Sequence, residues 1–292
     1  MKVFVTGASG FIGSQVVKQL ISGGHRVLGL ARSEGSAKSL ASAGAEVHRG
    51  TLEDIDSLRS GAAASEAVIH LGFIHDFSKF AENSEIDRRA IGALGDTLAG
   101  TNRPLIVTAG IGPRPEGRVA TEDTPPMHNP RMPRLSEETA LAQVEKGVRV
   151  SVMRLPQVHD PYKQGLIHWL IATAREKKVS AYIGDGLNRW AAAHVSDVAL
   201  LYRLVLEKGT AGTCYHAVGE EGVSLRAIAE ALGHVLKVPV VSQSPEEAAA
   251  HFGMMAGFVG AHMPASSALT QQWMDWHPKG PGLIADLEEG KF

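Results

Sequence analysis

Short apolar runs alternate with helically spaced apolar residues along the first half of the chain. Val3, Phe4 and Val5 make the first run. Glycines follow at Gly7, Gly10 and Gly13, and Ile12, Val16, Val17, Leu20 and Ile21 then recur at the spacing of one helix face. The pattern predicts strand, tight turn, helix. The rhythm continues with strands at His25–Ala31, Ala45–His48, Ala67–Leu71, Pro104–Thr108 and Val148–Leu155. Helices are predicted at Ser36–Ala43, Asp54–Ala64, Phe77–Leu98 and Ser136–Glu145, the last with Ser136 as N-cap and acids in its first turn. Strands alternating with helices build a parallel sheet covered on both faces, so the fold class is α/β with a doubly wound parallel sheet.

From Pro156 the alternation breaks. Helical patterns at Gln164–Lys177, His194–Glu207, Leu225–Leu236 and Pro245–Met255 interleave with short strands at Val179–Ile183, Gly212–Ala217 and Pro239–Val241. The organisation expected is a nucleotide-binding domain over residues 1–156, to which residues 194–217 return, and a smaller substrate lobe made of residues 157–193 and 218–292. The stretch from Gly110 to Arg134 is rich in Pro, Gly and charge and exceeds the usual connection, as a functional loop over a site does. The Pro- and Gly-rich tail after Trp276 is expected on the surface.

The three glycines of the first turn have separate uses. Gly7 permits the reversal, Gly10 lets backbone approach a pyrophosphate, and Gly13 lets the helix pack closely on the strand. The unpaired N–H groups of the helix's first turn then face the phosphates. The second strand ends at Arg32-Ser33, with Lys38 beyond and no acid before Glu34. A basic side chain there accommodates the extra phosphate of NADP, where an acid would take the ribose hydroxyls of NAD, so NADP is the expected cofactor. Ligands of such sheets lie beyond the carboxyl ends of the strands. The candidate cofactor contacts are therefore Gly7, Ser9, Gly10, Phe11, Ile12 and Gly13 in the turn, Arg32 and Ser33 after the second strand, and Thr51, Leu52, Leu71, Gly72, Phe73, Thr108 and Leu155 at the remaining strand ends.

Composition narrows the classes. The 292 residues are 44% hydrophobic and 21% charged with a formal charge of −2, so no basic field points to nucleic acid or an anionic membrane. Cys214 is the one cysteine, which excludes an internal disulfide framework and fits a reducing compartment. The first strand begins at residue 2 and no run of about 18 apolar residues occurs, so neither a leader nor a membrane span is expected, and the location expected is cytoplasmic. The thirteen histidines are scattered without metal-ligand spacing, so no metal is expected. Neither a G-x-S-x-G elbow nor a Walker lysine is present.

Six stretches carry a family resemblance: TGASGFIG (Thr6–Gly13), VIHLG (Val68–Gly72), TEDTPP (Thr121–Pro126), VRVSVMRLPQVHDP (Val148–Pro161), GDG followed by HVSDVA (Gly184–Gly186, His194–Ala199), and YHAVGEEGVSLRAIAEAL (Tyr215–Leu232). In order and over nearly the whole chain they resemble the extended short-chain dehydrogenase/reductase family, of the nucleotide-sugar epimerase/dehydratase type. The resemblance implies a Rossmann domain that binds NAD(P), a carboxyl-side lobe that closes over a small-molecule substrate, and, as in many members, a homodimer. It also implies a Tyr-x-x-x-Lys pair on the helix after the fifth strand and a hydroxyl residue at that strand's end. Here the four tyrosines are Tyr162, Tyr182, Tyr202 and Tyr215. The motif's place reads PRMPRLSEETALAQ, with Pro133 or Arg134 at the tyrosine position and Glu137 or Glu138 at the lysine position. Gly110 falls at the hydroxyl position, and Thr108 is its nearest substitute. The chain thus resembles the atypical members that keep the glycine loop and lose the active-site residues.

Three replacements for the proton donor stand out: His159 in the loop after the sixth strand, His75 just past the fourth strand, and Glu138 on the helix that normally carries tyrosine. Each is equally read as loop polarity or helix-surface charge. Arg134, Trp190 and His194 are the candidate substrate contacts, although Arg134 is spaced to pair with Glu138 and Trp190 reads equally as core. The function expected is an NADP-dependent oxidoreductase acting on a small carbonyl-type substrate with a non-tyrosine proton donor. The alternatives are a non-catalytic NADP-binding sensor or scaffold, and a nucleotide-sugar epimerase or dehydratase.

Overall fold

The computed structural model describes residues 1–126 and 134–292. Strands and helices alternate through the first half: β1 (Lys2–Thr6), α1 (Phe11–Ser22), β2 (Arg26–Ala31), α2 (Glu34–Ser42), β3 (Glu46–Arg49), α3 (Ile55–Ala63), β4 (Ala67–His70), α4 (Phe80–Leu98), β5 (Pro104–Gly110), α5 (Ser136–Leu141) and β6 (Arg149–Leu155). Val3 and Val5 join one core and Phe4, between them, joins another, because successive strand side chains point to opposite faces. The sheet is therefore buried on both sides. Its seven strands run in the order β10-β6-β5-β4-β1-β2-β3, all parallel. The order reverses between β1 and β4, where Thr6 stands in register with His70. A ligand crevice is expected at that reversal.

The second half contains β7 (Gln157–His159), α6 (Ile167–Lys177), β8 (Ser180–Ile183), β9 (Arg189–His194), α7 (Val195–Lys208), β10 (Thr213–His216), β11 (Glu220–Ser224), α8 (Leu225–Leu236), β12 (Val240–Gln243), α9 (Pro245–Phe252), α10 (Ala256–Val259), α11 (Ala268–Met274) and α12 (Leu283–Glu289). The helix α7 packs along α1 and β10 pairs with β6, so both lie with the large sheet. A third core, built from Ile167, Trp190, Ile228, Leu232, Phe252 and Leu283 among others, lies under a three-stranded sheet ordered β11-β9-β7.

Three local expectations are corrected. His159 ends a strand, β7, rather than sitting in a loop. Ser136 is the first helical residue of α5 instead of its N-cap, because its hydroxyl is bound elsewhere, and α5 stops at Leu141. The tail after Trp276 is not a surface segment: Leu283 and Leu287 are fully buried, four residues apart on α12, which packs on α8. The early part of the long loop is tied down, with the Arg114 N–H donating to the His262 carbonyl and the Ala120 N–H to the Pro264 carbonyl. Pro133 lies outside the described residues.

Candidate active site

At the switch point the glycine turn forms a cradle of bare backbone. Gly7 has φ +65°, and a Cβ there would lie 2.8 Å from the Gly72 nitrogen. A Cβ on Gly13 would run into the Gly7 carbonyl. Both positions therefore require glycine. Gly10 is the N-cap of α1 and no side chain caps it, so the first-turn N–H groups keep their capacity for an anion. Ser9 and Gly10 are exposed, with Phe11 and Ile12 half-buried beside them. Leu52 and Gly72 close one wall of the turn, since a Cβ on Gly72 would meet Leu52 at 2.9 Å and Thr6 at 3.1 Å. Thr51, Leu71, Phe73 and Leu155 are half-buried at their strand ends. This cradle fits a dinucleotide pyrophosphate.

Beyond β2, Arg32 and Lys38 are exposed, and neither makes an ion pair among the described residues. The neighbouring acid Glu34 is taken by Arg49 at 2.5 Å. Ser33 caps α2, accepting from the Ser36 N–H. The strand end is therefore net positive where a ribose would sit.

A buried polar chain runs from the cradle to Arg134. The Gly72 N–H donates to Thr6 Oγ1 at 3.0 Å, and Thr6 Oγ1 lies 2.8 Å from His70 Nδ1. His70 Nε2 lies 3.1 Å from Asp87 Oδ1, the Ser136 hydroxyl donates to Asp87 Oδ2 at 2.5 Å, and Arg134 Nε donates to Ser136 Oγ at 2.7 Å. One assignment of protons leaves no hydroxyl without an acceptor: Thr6 donates to Nδ1, the Nε2–H of His70 donates to Asp87, and Asp87 is an ionised acceptor from both sides. Burial alone would raise the Asp87 carboxyl, but the His70 hydrogen bond and the Arg134 charge outweigh it and hold it below the ordinary value. Asp87 is thus a carboxylate, 3.7 Å from Arg134 Nε.

Arg134 is held on three sides. Nη2 donates to the Thr108 carbonyl at 3.1 Å, Nε to Ser136, and the guanidinium carbon stacks 4.0 Å above the Phe73 ring. Three of its five N–H groups are free of protein acceptors among the described residues, and a quarter of its side chain is exposed. It does not pair with Glu138, which is half-buried on α5 with no side-chain hydrogen bond among the described residues. Glu137 is committed to Arg154 at 2.5 Å, in a buried ion pair.

The other candidates are dispersed. His75 is exposed, edge-on to Phe73 at 5.2 Å, and its pKa is lowered by desolvation of the ring and then by the Arg134 charge. His159 has no exposed surface and its Nδ1 lies 2.6 Å from Asp286 on α12, which denies it contact with a substrate. Trp190 is core, 1% exposed, with its N–H on the Ala261 carbonyl. His194 caps α7 by accepting from the Ser196 N–H. Thr108 donates its hydroxyl to the His70 carbonyl and receives Tyr202 at 2.7 Å, so it faces the core. Tyr202 is fully buried, and that burial raises its phenol above the ordinary value.

Sequence reasoning missed Thr6, His70, Asp87 and Ser136. A signal for Asp87 existed: it shares the buried face of α4 with Asn83, Ile91 and Leu94, and a carboxylate on an apolar stripe needs partners. A separate cleft of about 680 Å³ lies beyond α5, lined by Glu137, Arg154, Cys214, Lys208 and Trp273 among others. None of the glycine-turn residues reaches it, so it does not belong to this site.

Residues 3–94 match the model of the family described as NAD dependent epimerase/dehydratase. An uncharacterised protein of Schizosaccharomyces pombe is 46% identical over 294 residues, covering 100% of this chain and 100% of its own. The decarboxylating sterol-4-alpha-carboxylate 3-dehydrogenase of Dictyostelium discoideum is 28% identical across 77% of this chain and 73% of its own. Among solved structures, a dTDP-glucose 4,6-dehydratase of Streptomyces venezuelae, with NAD and TYD bound, has a TM-score of 0.79 at 19% identity over 99% of this chain and 96% of that one. That likeness shows the fold.

Proposed function

This chain belongs to the NAD dependent epimerase/dehydratase family, of the extended short-chain dehydrogenase/reductase type, and on that premise we propose that it is an NADP-dependent oxidoreductase acting on a small carbonyl-type substrate. The observation that carries the reading is Arg134: a cation with N–H groups free among the described residues, joined by one polar chain to the turn that fits a pyrophosphate. Gly7, Gly10 and Gly13 would hold the pyrophosphate, and Arg32 the additional phosphate of NADP.

When bound, the nicotinamide supplies or accepts a hydride. The chain's residues handle the oxygen. As a carbonyl is reduced its oxygen gains negative charge, and the free N–H groups of Arg134 stabilise that charge without giving up a proton. Thr108, Ser136 and Asp87 fix the guanidinium in advance, so no reorganisation accompanies the reaction. The proton passes at His75, whose lowered pKa leaves it neutral at pH 7: it accepts a proton when an alcohol is oxidised, and in the reducing direction it relays one from solvent water to the oxygen that has gained charge.

Purified protein should bind NADPH more tightly than NADH by about tenfold or more, the worth of one charge-assisted contact. With NADPH it should turn over a panel of aldehydes and ketones. Alcohol oxidation should persist at the ordinary histidine value of 6.5 and fail at lower pH, as His75 takes up its proton. Tight NADPH binding with no turnover on any carbonyl would replace this reading with the non-catalytic sensor.

A further inference from the structure

An aromatic wall adjoins Arg134, and beyond Phe73 it has no part in the function described so far. Phe73, on which the guanidinium stacks, meets Phe80 at 5.9 Å. Phe80 stacks on Phe77 at 6.0 Å with their planes 6° apart. Phe77 in turn meets Trp169 of α6 edge-on at 6.1 Å and Phe258 of α10 at 6.0 Å. The four phenylalanines are only half-buried and Trp169 is exposed, so the surface they share is a wall and not a sealed core. Such rings are large apolar surface left beside a polar group, the composition of a site for a small organic ligand.

Charge decides which ligand. The cation at the end of the wall is not a free positive field, because the carboxylate of Asp87 lies 3.7 Å from Arg134 Nε and neutralises it. A diphosphate needs an excess of cations or several charge-assisted bonds, whereas a neutral carbonyl oxygen needs only donors. The Arg134–Asp87 pair offers donors with no net charge.

We propose that the substrate is an aldehyde or ketone with a flat apolar body, aromatic or conjugated, lying along Phe73, Phe77 and Trp169 with its oxygen at Arg134. Nucleotide sugars are then disfavoured at this wall. The inference rests on the oxidoreductase reading above. In the reducing direction R–CHO gains a hydride at carbon from NADPH and a proton at oxygen drawn from solvent water by way of His75, giving R–CH2OH and NADP⁺.

The test compares cinnamaldehyde and glyceraldehyde as substrates with NADPH and UDP-glucose as substrate with NADP⁺, and measures binding of the redox-inert cinnamamide by tryptophan fluorescence. Cinnamaldehyde should be preferred, cinnamamide should bind, and UDP-glucose should do neither. Phe77→Ala should lower kcat/KM for cinnamaldehyde about tenfold, the scale of one aromatic contact, while glyceraldehyde turnover holds. Should that variant fail to fold, Phe77→Leu keeps the apolar volume and should still lose part of the preference. Turnover of glyceraldehyde or UDP-glucose in preference to cinnamaldehyde overturns the wall proposal and leaves the oxidoreductase reading standing. Binding of cinnamamide without turnover of any carbonyl does the reverse.

Discussion

Asp87 is a carboxylate with 1% of its surface exposed, and its two oxygens divide the work. One receives His70, which joins the nucleotide turn, and the other receives Ser136, which holds Arg134. Asp87→Asn keeps the shape but turns one acceptor into a donor, so either His70 or Ser136 faces an N–H across a dry gap. The expected cost is about 1–3 kcal/mol of stability, the price of a buried polar group left unpaired. If Asp87 positions Arg134, kcat should also fall about tenfold or more while KM for NADPH holds, because the misplaced group touches the substrate and not the pyrophosphate. Equal losses in kcat and in NADPH affinity would indicate a merely structural role. Arg134 itself was legible in the sequence, as one of two residues, with Pro133, that can take the family's tyrosine position. Its partners were not, since Thr6 lies 64 residues from His70 and His70 lies 17 from Asp87, and only the parallel pairing of β1 with β4 brings the first two into register.

At the scale of elements, α12 is joined to β7 by His159 and Asp286. Nδ1–H donates to the carboxylate at 2.6 Å, while Nε2 is buried with no partner among the described residues. A second proton on that ring would add a buried N–H with no acceptor. Desolvation accordingly lowers the His159 pKa from 6.5, against the opposing pull of Asp286 and Glu220, with His194 acting in the same direction as burial. The unfolded chain takes up a proton near 6.5 and the native one does so only at lower pH, so stability is full above that value and is lost as the pH falls below it. The melting temperature should drop on acidification through this window, and His159→Gln should make the drop shallower. An unchanged slope in the variant would place the sensitivity elsewhere. The elements of the first half were readable because each carries its own apolar period between turn residues. The strands β7, β9 and β11 were not, since three to six residues carry too little period and Ala191, Ala192 and Ala193 of β9 give no alternation. The helix α12 was hidden by the Pro and Gly residues that precede it.

The whole molecule is a two-faced sheet whose reversal at β1 and β4 creates the cradle, and a carboxyl-side assembly that brings Trp169 and Phe258 against the segment after β4. In the proposed function the glycine turn and Arg32 would address the cofactor and Arg134 the substrate oxygen, and Arg134 is the residue on which the catalytic reading depends. The most direct measurement is the consumption of NADPH by an aldehyde substrate, followed by nicotinamide absorbance, in the native protein and in Arg134→Gln. The native protein should turn over, and the variant should lose about 10²- to 10³-fold in kcat, the scale of one preorganised oxyanion donor, with NADPH affinity unchanged. A variant that reduces the aldehyde as fast as the native protein would contradict the account.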